Sequence, residues 1–165
     1  MSRRLAVAVV GLGIGRNHLD AYATLPDLYE IKAVCDLDGA KANAAAAKFG
    51  AVAETRFDSL LKIADLDVID LCTPPNTHRE LIEQALSGGF HVICEKPFAG
   101  YFGRDGDQAP IGTHVPKALM YQRVLEEMEG IRTAIGKTGK LFMYAEDWIY
   151  APAVTKTAEI LKATR

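Results

Sequence analysis

Residues 7–18, Val-Ala-Val-Val-Gly-Leu-Gly-Ile-Gly-Arg-Asn-His, run from a β-branched apolar stretch straight into three closely spaced glycines. This pattern predicts a strand, a tight turn and the opening of a helix. Such a turn suits a phosphate, because glycine lets backbone approach the ligand and a helix N-terminus offers free N–H groups and partial positive charge. A second apolar strand, Ile31 to Cys35, ends in Asp36, twenty-one residues after Gly15. An acid there is placed to accept hydrogen bonds from the ribose hydroxyls of an NAD-type adenosine. The glycine turn alone is weak evidence; turn, strand, helix and acid together carry more weight.

The 165 residues have the length of one ordinary domain, large enough for a real core. A formal net charge of −2 offers no general attraction for nucleic acid or anionic membrane, so phosphate recognition has to be local. No apolar run approaches the roughly 20 residues of a membrane span. Met1-Ser2-Arg3-Arg4 before the first strand lacks the cleavage site of a signal peptide. Cys35, Cys72 and Cys94 each fall at a strand end without metal-ligand spacing, so reduced structural thiols, no metal and a cytoplasmic location are expected.

Strand and helix signals alternate along the chain. Strands are predicted at 5–10, 30–35, 68–72, 90–94 and 140–145, with a short one at 51–54. Helices are predicted at 14–25, 38–48, 57–64, 77–87, 117–135 and 152–163. Strands that read as apolar throughout indicate burial on both faces, hence an α/β fold with a doubly wound, mostly parallel Rossmann sheet. Pro26 should stop the first helix, Gly50 the second and Gly88-Gly89 the fourth, while Thr77 and Glu80 have capping-box spacing. Residues 99–116 hold four glycines and two prolines and read as a long inserted loop, with Arg104-Asp105-Gly106-Asp107 a solvated turn.

In an open parallel sheet, ligands sit beyond the carboxyl ends of the strands. Polar clusters fall at four such ends: the glycine turn, Asp36, Cys72 to His78, and Cys94 to Pro97. A fifth, Glu146-Asp147-Trp148, follows the strand at 140–145. Here the chain resembles the glucose–fructose oxidoreductase / inositol dehydrogenase / MocA-like family. The likeness rests on Gly11-Leu12-Gly13-Ile14-Gly15-Arg16-Asn17-His18, Asp36, Thr73-Pro74-Pro75-Asn76-Thr77-His78 and Glu95-Lys96-Pro97. It covers roughly residues 5–98 in order, and 140–155 more loosely.

The resemblance implies a domain that binds NAD or NADP and serves the oxidation of a sugar or polyol hydroxyl. It assigns Lys96 the catalytic place beside nicotinamide and substrate. An ammonium near the cofactor's positive ring would have a lowered pKa and could relay the hydroxyl proton. Glu95 would orient Lys96. Gly11, Gly13, Ile14, Gly15, Arg16, Asp36, Thr73, Pro74, Asn76 and His78 would contact the cofactor. His78 reads equally as an exposed helix-start histidine, and His18 as a packing or surface residue. Trp148 and Tyr150 are expected to pack between the sheet and the last helix.

Two departures from the family pattern matter. Arg16 stands where a third glycine is commoner and is expected over the pyrophosphate; Asp36 would repel a 2′-phosphate, so NAD is preferred and NADP is second. The family's C-terminal substrate domain has no counterpart in these residues, where 152–165 reads as the helix leading into it. Residues 1–165 are therefore expected to bind cofactor with little or no turnover, and to pair in a homo-oligomer or with that second domain. A non-catalytic dinucleotide-binding sensor or interaction module and a methyltransferase-type nucleotide domain are the competing readings, and Glu95-Lys96-Pro97 weighs against both.

Overall fold

The computed structural model describes residues 3–164. Its strands are β1 (Leu5–Val10), β2 (Tyr29–Cys35), β3 (Val52–Glu54), β4 (Val68–Leu71), β5 (His91–Glu95) and β6 (Phe142–Ala145). Its helices are α1 (Gly15–Ala23), α2 (Gly39–Phe49), α3 (Phe57–Leu60), α4 (His78–Ser87), α5 (Ile111–His114), α6 (Lys117–Thr138) and α7 (Pro152–Ala163). Short 3-10 turns span Pro75–Thr77 and Trp148–Tyr150.

The six strands form one sheet in the order β3-β2-β1-β4-β5-β6. Every pairing is parallel, with Val10 opposite both Cys35 and Leu71, Leu71 opposite Cys94, and Glu95 opposite Ala145. All carboxyl ends therefore open on one edge. The order reverses between β1 and β4, the point at which such sheets leave a crevice.

Two apolar cores cover the two faces of the sheet. Val7, Val9, Val34, Leu12 and Leu19 pack with Ala42 and Ala46 of α2 on one side. Ala8, Ile69, Leu71 and Cys94 pack with Leu60, Ile82, Leu86 and Ile131 on the other. The alanine-rich face of α2 lets that helix lie close to β2 and β3. Asp38 starts α2 by accepting from the Ala40 and Lys41 amides, and Gly50 ends it at φ +68°.

Several boundaries differ from the expectation for physical reasons. Thr77 does not cap α4: its hydroxyl donates at 2.8 Å, toward Thr73 Oγ1 and the Pro74 carbonyl. Glu80 instead accepts from Gln84. A 3-10 turn feeds directly into α4, so the helix has no open first turn for a capping box to close. Helix α3 is one turn long, because the chain after Leu60 continues in i→i+3 bonds to Ile63. Helix α6 runs through Gly136 to Thr138 and stops at Gly139, where φ is +62°. Inside 99–116 the Arg104–Asp107 turn is tied rather than merely solvated: Asp107 accepts from the Arg104 amide and the Tyr101 hydroxyl.

Trp148 and Tyr150 do not pack under α7 as expected. They are 70% and 77% exposed, and α7 buries none of its residues. Met143 and Tyr144 on the edge strand β6 are also exposed. Among the described residues only the Tyr144 ring leans on an aromatic neighbour, with its centroid 5.7 Å from that of Phe98, and the apolar side chains of this corner stay largely open to solvent.

Candidate functional site at the carboxyl edge of the sheet

Two of the three glycines in the turn are sterically required, and the third is not. Gly11 has φ +88°, and a Cβ there would stand 2.6 Å from the Cys72 carbonyl oxygen. A Cβ on Gly15 would meet Val9 at 2.9 Å and Cys72 at 3.2 Å, so this glycine sets the close packing of α1 on the sheet. At Gly13 a Cβ would meet nothing within 4 Å. One glycine makes the bend, one seats the helix, and Gly13 faces open space where a phosphate has room to approach.

The Asp36 carboxylate is held by that turn. Its Oδ2 accepts from the Leu12 amide at 2.7 Å and its Oδ1 from the Asp38 amide at 2.9 Å. A cavity of about 310 Å³ lies between these segments, lined by Gly11, Asp36, Leu37, Thr73, Pro74 and other residues. The structure thus brings the glycine turn, the acid and the Thr-Pro segment together around one largely apolar slot.

Other expected residues lie elsewhere. Asn76 is exposed and lines a separate cavity with Arg79, Tyr101 and Arg123. Ile14 is exposed at the start of α1. Arg16 folds back so that its Nε donates to the Gly13 carbonyl at 3.3 Å, and it lines a groove between α1 and α2 with Lys41 and Lys48. Lys96 is exposed, with no side-chain hydrogen bond or ion pair among the described residues. Its backbone amide donates to Glu95 Oε2 at 2.7 Å.

His78 is neither an exposed helix-start residue nor open to a ligand. It is 1% exposed, with Nε2 2.9 Å from the Thr73 carbonyl and Nδ1 3.4 Å from the Phe98 carbonyl. The ring therefore ties the Thr-Pro segment to the chain just after Glu95-Lys96-Pro97. Burial of a polar ring is tolerated where a ring N–H reaches an acceptor, and the Thr73 carbonyl is the nearer of the two.

Sequence reasoning missed a buried polar cluster centred on Asp70, which is wholly enclosed in β4. Its Oδ2 accepts from the Tyr22 hydroxyl at 2.8 Å and faces His18 Nδ1 at 2.9 Å. Cys72 Sγ lies 3.6 Å from its other oxygen, and Glu95 Oε1 lies 3.2 Å from His18 Nε2. The hydrogen bond to Asp70 pushes the His18 pKa up against the opposing effect of burial, and the Asp70 charge and Glu95 add to the rise. Burial, then the Asp70 charge, drives the Tyr22 and Cys72 pKa values up, so both remain protonated donors.

Two signals could have exposed the cluster. An acid in a strand buried on both faces needs donors, and His18 and Tyr22 are i,i+4 neighbours on one face of α1. His18, Asp70 and Cys72 also place ligand-type atoms within 4.8 Å of one another, a grouping that sequence separation concealed. Hydrogen bonds from Tyr22 and His18 to Asp70 hold the group together. Cys35 and Cys94 are buried free thiols, pushed up to about 11 and about 12 mainly by desolvation.

Residues 5–103 match the family model GFO_IDH_MocA, described as an oxidoreductase family with an NAD-binding Rossmann fold. The chain belongs to this family. D-apiose dehydrogenase of Paraburkholderia graminis is 38% identical over 99 residues, which are 59% of this chain and 26% of that protein. Inositol 2-dehydrogenase 1 of Paenarthrobacter aurescens is 36% identical over 99 residues, 59% of this chain and 29% of that protein. Among solved structures, the WlbA dehydrogenase of Chromobacterium violaceum, in complex with NADH and UDP-GlcNAcA, superposes with a TM-score of 0.80 at 24% identity. That match covers 100% of this chain and 41% of the other. Levoglucosan dehydrogenase, in complex with NADH and L-sorbose, gives a TM-score of 0.76 at 25% identity, over 98% of this chain and 40% of its own. This Gfo/Idh/MocA chain thus spans well under half the length of its relatives. No described helix is long and apolar enough to cross a membrane.

Proposed function

We propose that residues 1–165 form the NAD-binding domain of an oxidoreductase that oxidises or restores a hydroxyl on a sugar, polyol or related small molecule. The observation that carries this reading is the slot shared by Gly11, Asp36, Thr73 and Pro74, beside a glycine turn whose Gly13 is sterically open. These residues fit a dinucleotide. Gly13 leaves room for the pyrophosphate and the N-terminus of α1 faces it with free amides. Asp36 would receive the adenosine ribose hydroxyls on the lone pairs that Leu12 and Asp38 leave free. Its charge disfavours a 2′-phosphate, so NAD is the preferred cofactor.

A bound nicotinamide supplies the hydride acceptor or donor. This chain's own part in the chemistry falls to Lys96. Its side chain has no internal partner among the described residues and stands at the end of β5, where the neutral amine could accept the proton of a substrate hydroxyl at Nζ as hydride leaves, and the ammonium could return it in the reverse direction. Glu95 orients that residue through the Lys96 amide. The relatives' names, apiose, inositol and glucoside dehydrogenases, support the substrate class. The three buried free thiols support a reducing, cytoplasmic setting.

Most substrate contacts are assigned to a second domain or partner. The exposed apolar side chains of β6, Trp148, Tyr150 and α7 support such a covering surface. The 165-residue chain alone should therefore bind dinucleotide and turn over little. Calorimetric titration with NADH and NADPH tests the cofactor reading. Tighter binding of NADH is expected; equal affinities would remove the NAD assignment, and no binding of either would remove the function.

A further inference from the structure

His18 stands between two carboxylates that belong to different parts of the candidate site. It lies in the first turns of α1, directly after the glycine turn, and Gly15 lets that helix sit against Cys72. Asp70, fully buried in β4, holds Nδ1, and Glu95 at the end of β5 holds Nε2. Glu95 in turn accepts the Lys96 amide on its other oxygen. A continuous path therefore runs from the phosphate-binding helix through His18 and Glu95 to the backbone of Lys96.

We propose that His18 is a positioning residue, whose bridge from Asp70 to Glu95 locks the start of α1 to the Lys96 loop and holds Lys96 in register with the nicotinamide end of the cofactor. The proposal deepens the dinucleotide reading of the site and rests on it. Only an imidazolium has an N–H on both ring nitrogens, so only the protonated ring donates to both carboxylates at once. A neutral ring would turn a bare nitrogen lone pair toward one of them. The helix N-terminus opposes a cation at His18, but Asp70 and Glu95 face it from β4 and β5.

The remaining titratable groups around the ring are the Tyr22 hydroxyl from α1 and the Cys72 thiol from β4, both kept neutral. The ring is 22% exposed, so protons can reach it. The sign follows from the raised His18 pKa. The bridge is complete below the ordinary histidine value and is lost as pH rises through the higher folded-state value. Above that value Glu95 is freed from α1 and Lys96 loses its anchor.

The test uses the isotopically labelled 165-residue chain and NMR. The His18 ring nitrogens and the Lys96 backbone amide are followed through a pH titration without cofactor. The Lys96 amide should move with the His18 midpoint, above the ordinary 6.5. His18→Gln should abolish that inflection, and Glu95→Gln should both abolish it and lower the His18 midpoint. Both substitutions fall at partly exposed positions, so the fully buried Asp70 stays intact throughout.

A Lys96 amide that stays flat while His18 titrates would overturn the proposal, as would an unaltered Lys96 titration in His18→Gln. A parallel NADH titration should show affinity at pH 7 about fivefold weaker in His18→Gln, the low end of typical coupling between linked sites. Should the parent chain not bind NADH at all, the cofactor reading fails while the Lys96 amide still decides the bridge.

Discussion

The Leu12 amide donates to Asp36 Oδ2 at 2.7 Å, so the second residue of the glycine turn fixes the acid that ends β2. The glycine turn and Asp36 are thereby one unit. Asp36→Ala removes this bond and the one from Asp38, and should cost about 1–3 kcal/mol of stability. It should also narrow the gap between NADH and NADPH affinities, since the repelling charge is gone. Urea unfolding and calorimetry on the same variant check both halves.

The glycines of the turn should separate by what each substitution harms. Gly11→Ala places a methyl against the Cys72 carbonyl at a φ of +88° and should destabilise the fold by about 3 kcal/mol or more. Gly13→Ala meets open space and should leave stability within about 0.5 kcal/mol. Its methyl would stand where the pyrophosphate approaches, so NADH affinity should fall sharply. Melting temperature alongside NADH titration distinguishes the pair.

Most of the framework was legible because the local signals agreed. β1, the glycine turn and α1 announce themselves in consecutive residues, and Asp38 and Gly50 mark both ends of α2. What stayed hidden depends on contacts between distant segments. Asp70 looks like an interruption in an apolar strand until Tyr22 and His18 are seen to reach it from α1. Arg16 lies beside the glycine turn in sequence, yet its side chain bonds back to Gly13. Trp148 and Tyr150 have the composition of packing residues, but their exposure depends on what covers β6 and α7, which local sequence does not specify.

His78 is a brace between loops. Replacing it with alanine empties a buried site and leaves the Thr73 carbonyl without its partner at 2.9 Å. His78→Ala should lose about 2–3 kcal/mol in urea unfolding. Amide exchange should quicken at both Thr73–Thr77 and Lys96–Ala99. A variant with parent-like stability would show that the brace is dispensable.

Asp67 gives the fold a pH-dependent anchor on the opposite edge of the sheet. Its carboxylate accepts from Arg3 and from the Ala6 amide, each at 2.8 Å through Oδ2. The Arg3 bond is the main cause holding its pKa below the usual carboxylate value, with burial opposing. The stabilisation is therefore present above the unfolded value of about 3.9 and disappears as pH falls through the lower folded value. Asp67→Asn should be less stable than the parent at neutral pH, and the difference should shrink in acid. Thermal melts across that range report it.

Loops from four strands are assigned to a single dinucleotide. Adding NADH to the isotopically labelled chain and mapping amide shifts measures this directly. Shifts concentrated at 11–16, 36–38, 73–76 and 95–97 are the expected result. Perturbations confined to one of these segments, or centred on the groove of Arg16, Lys41 and Lys48 between α1 and α2, would contradict it.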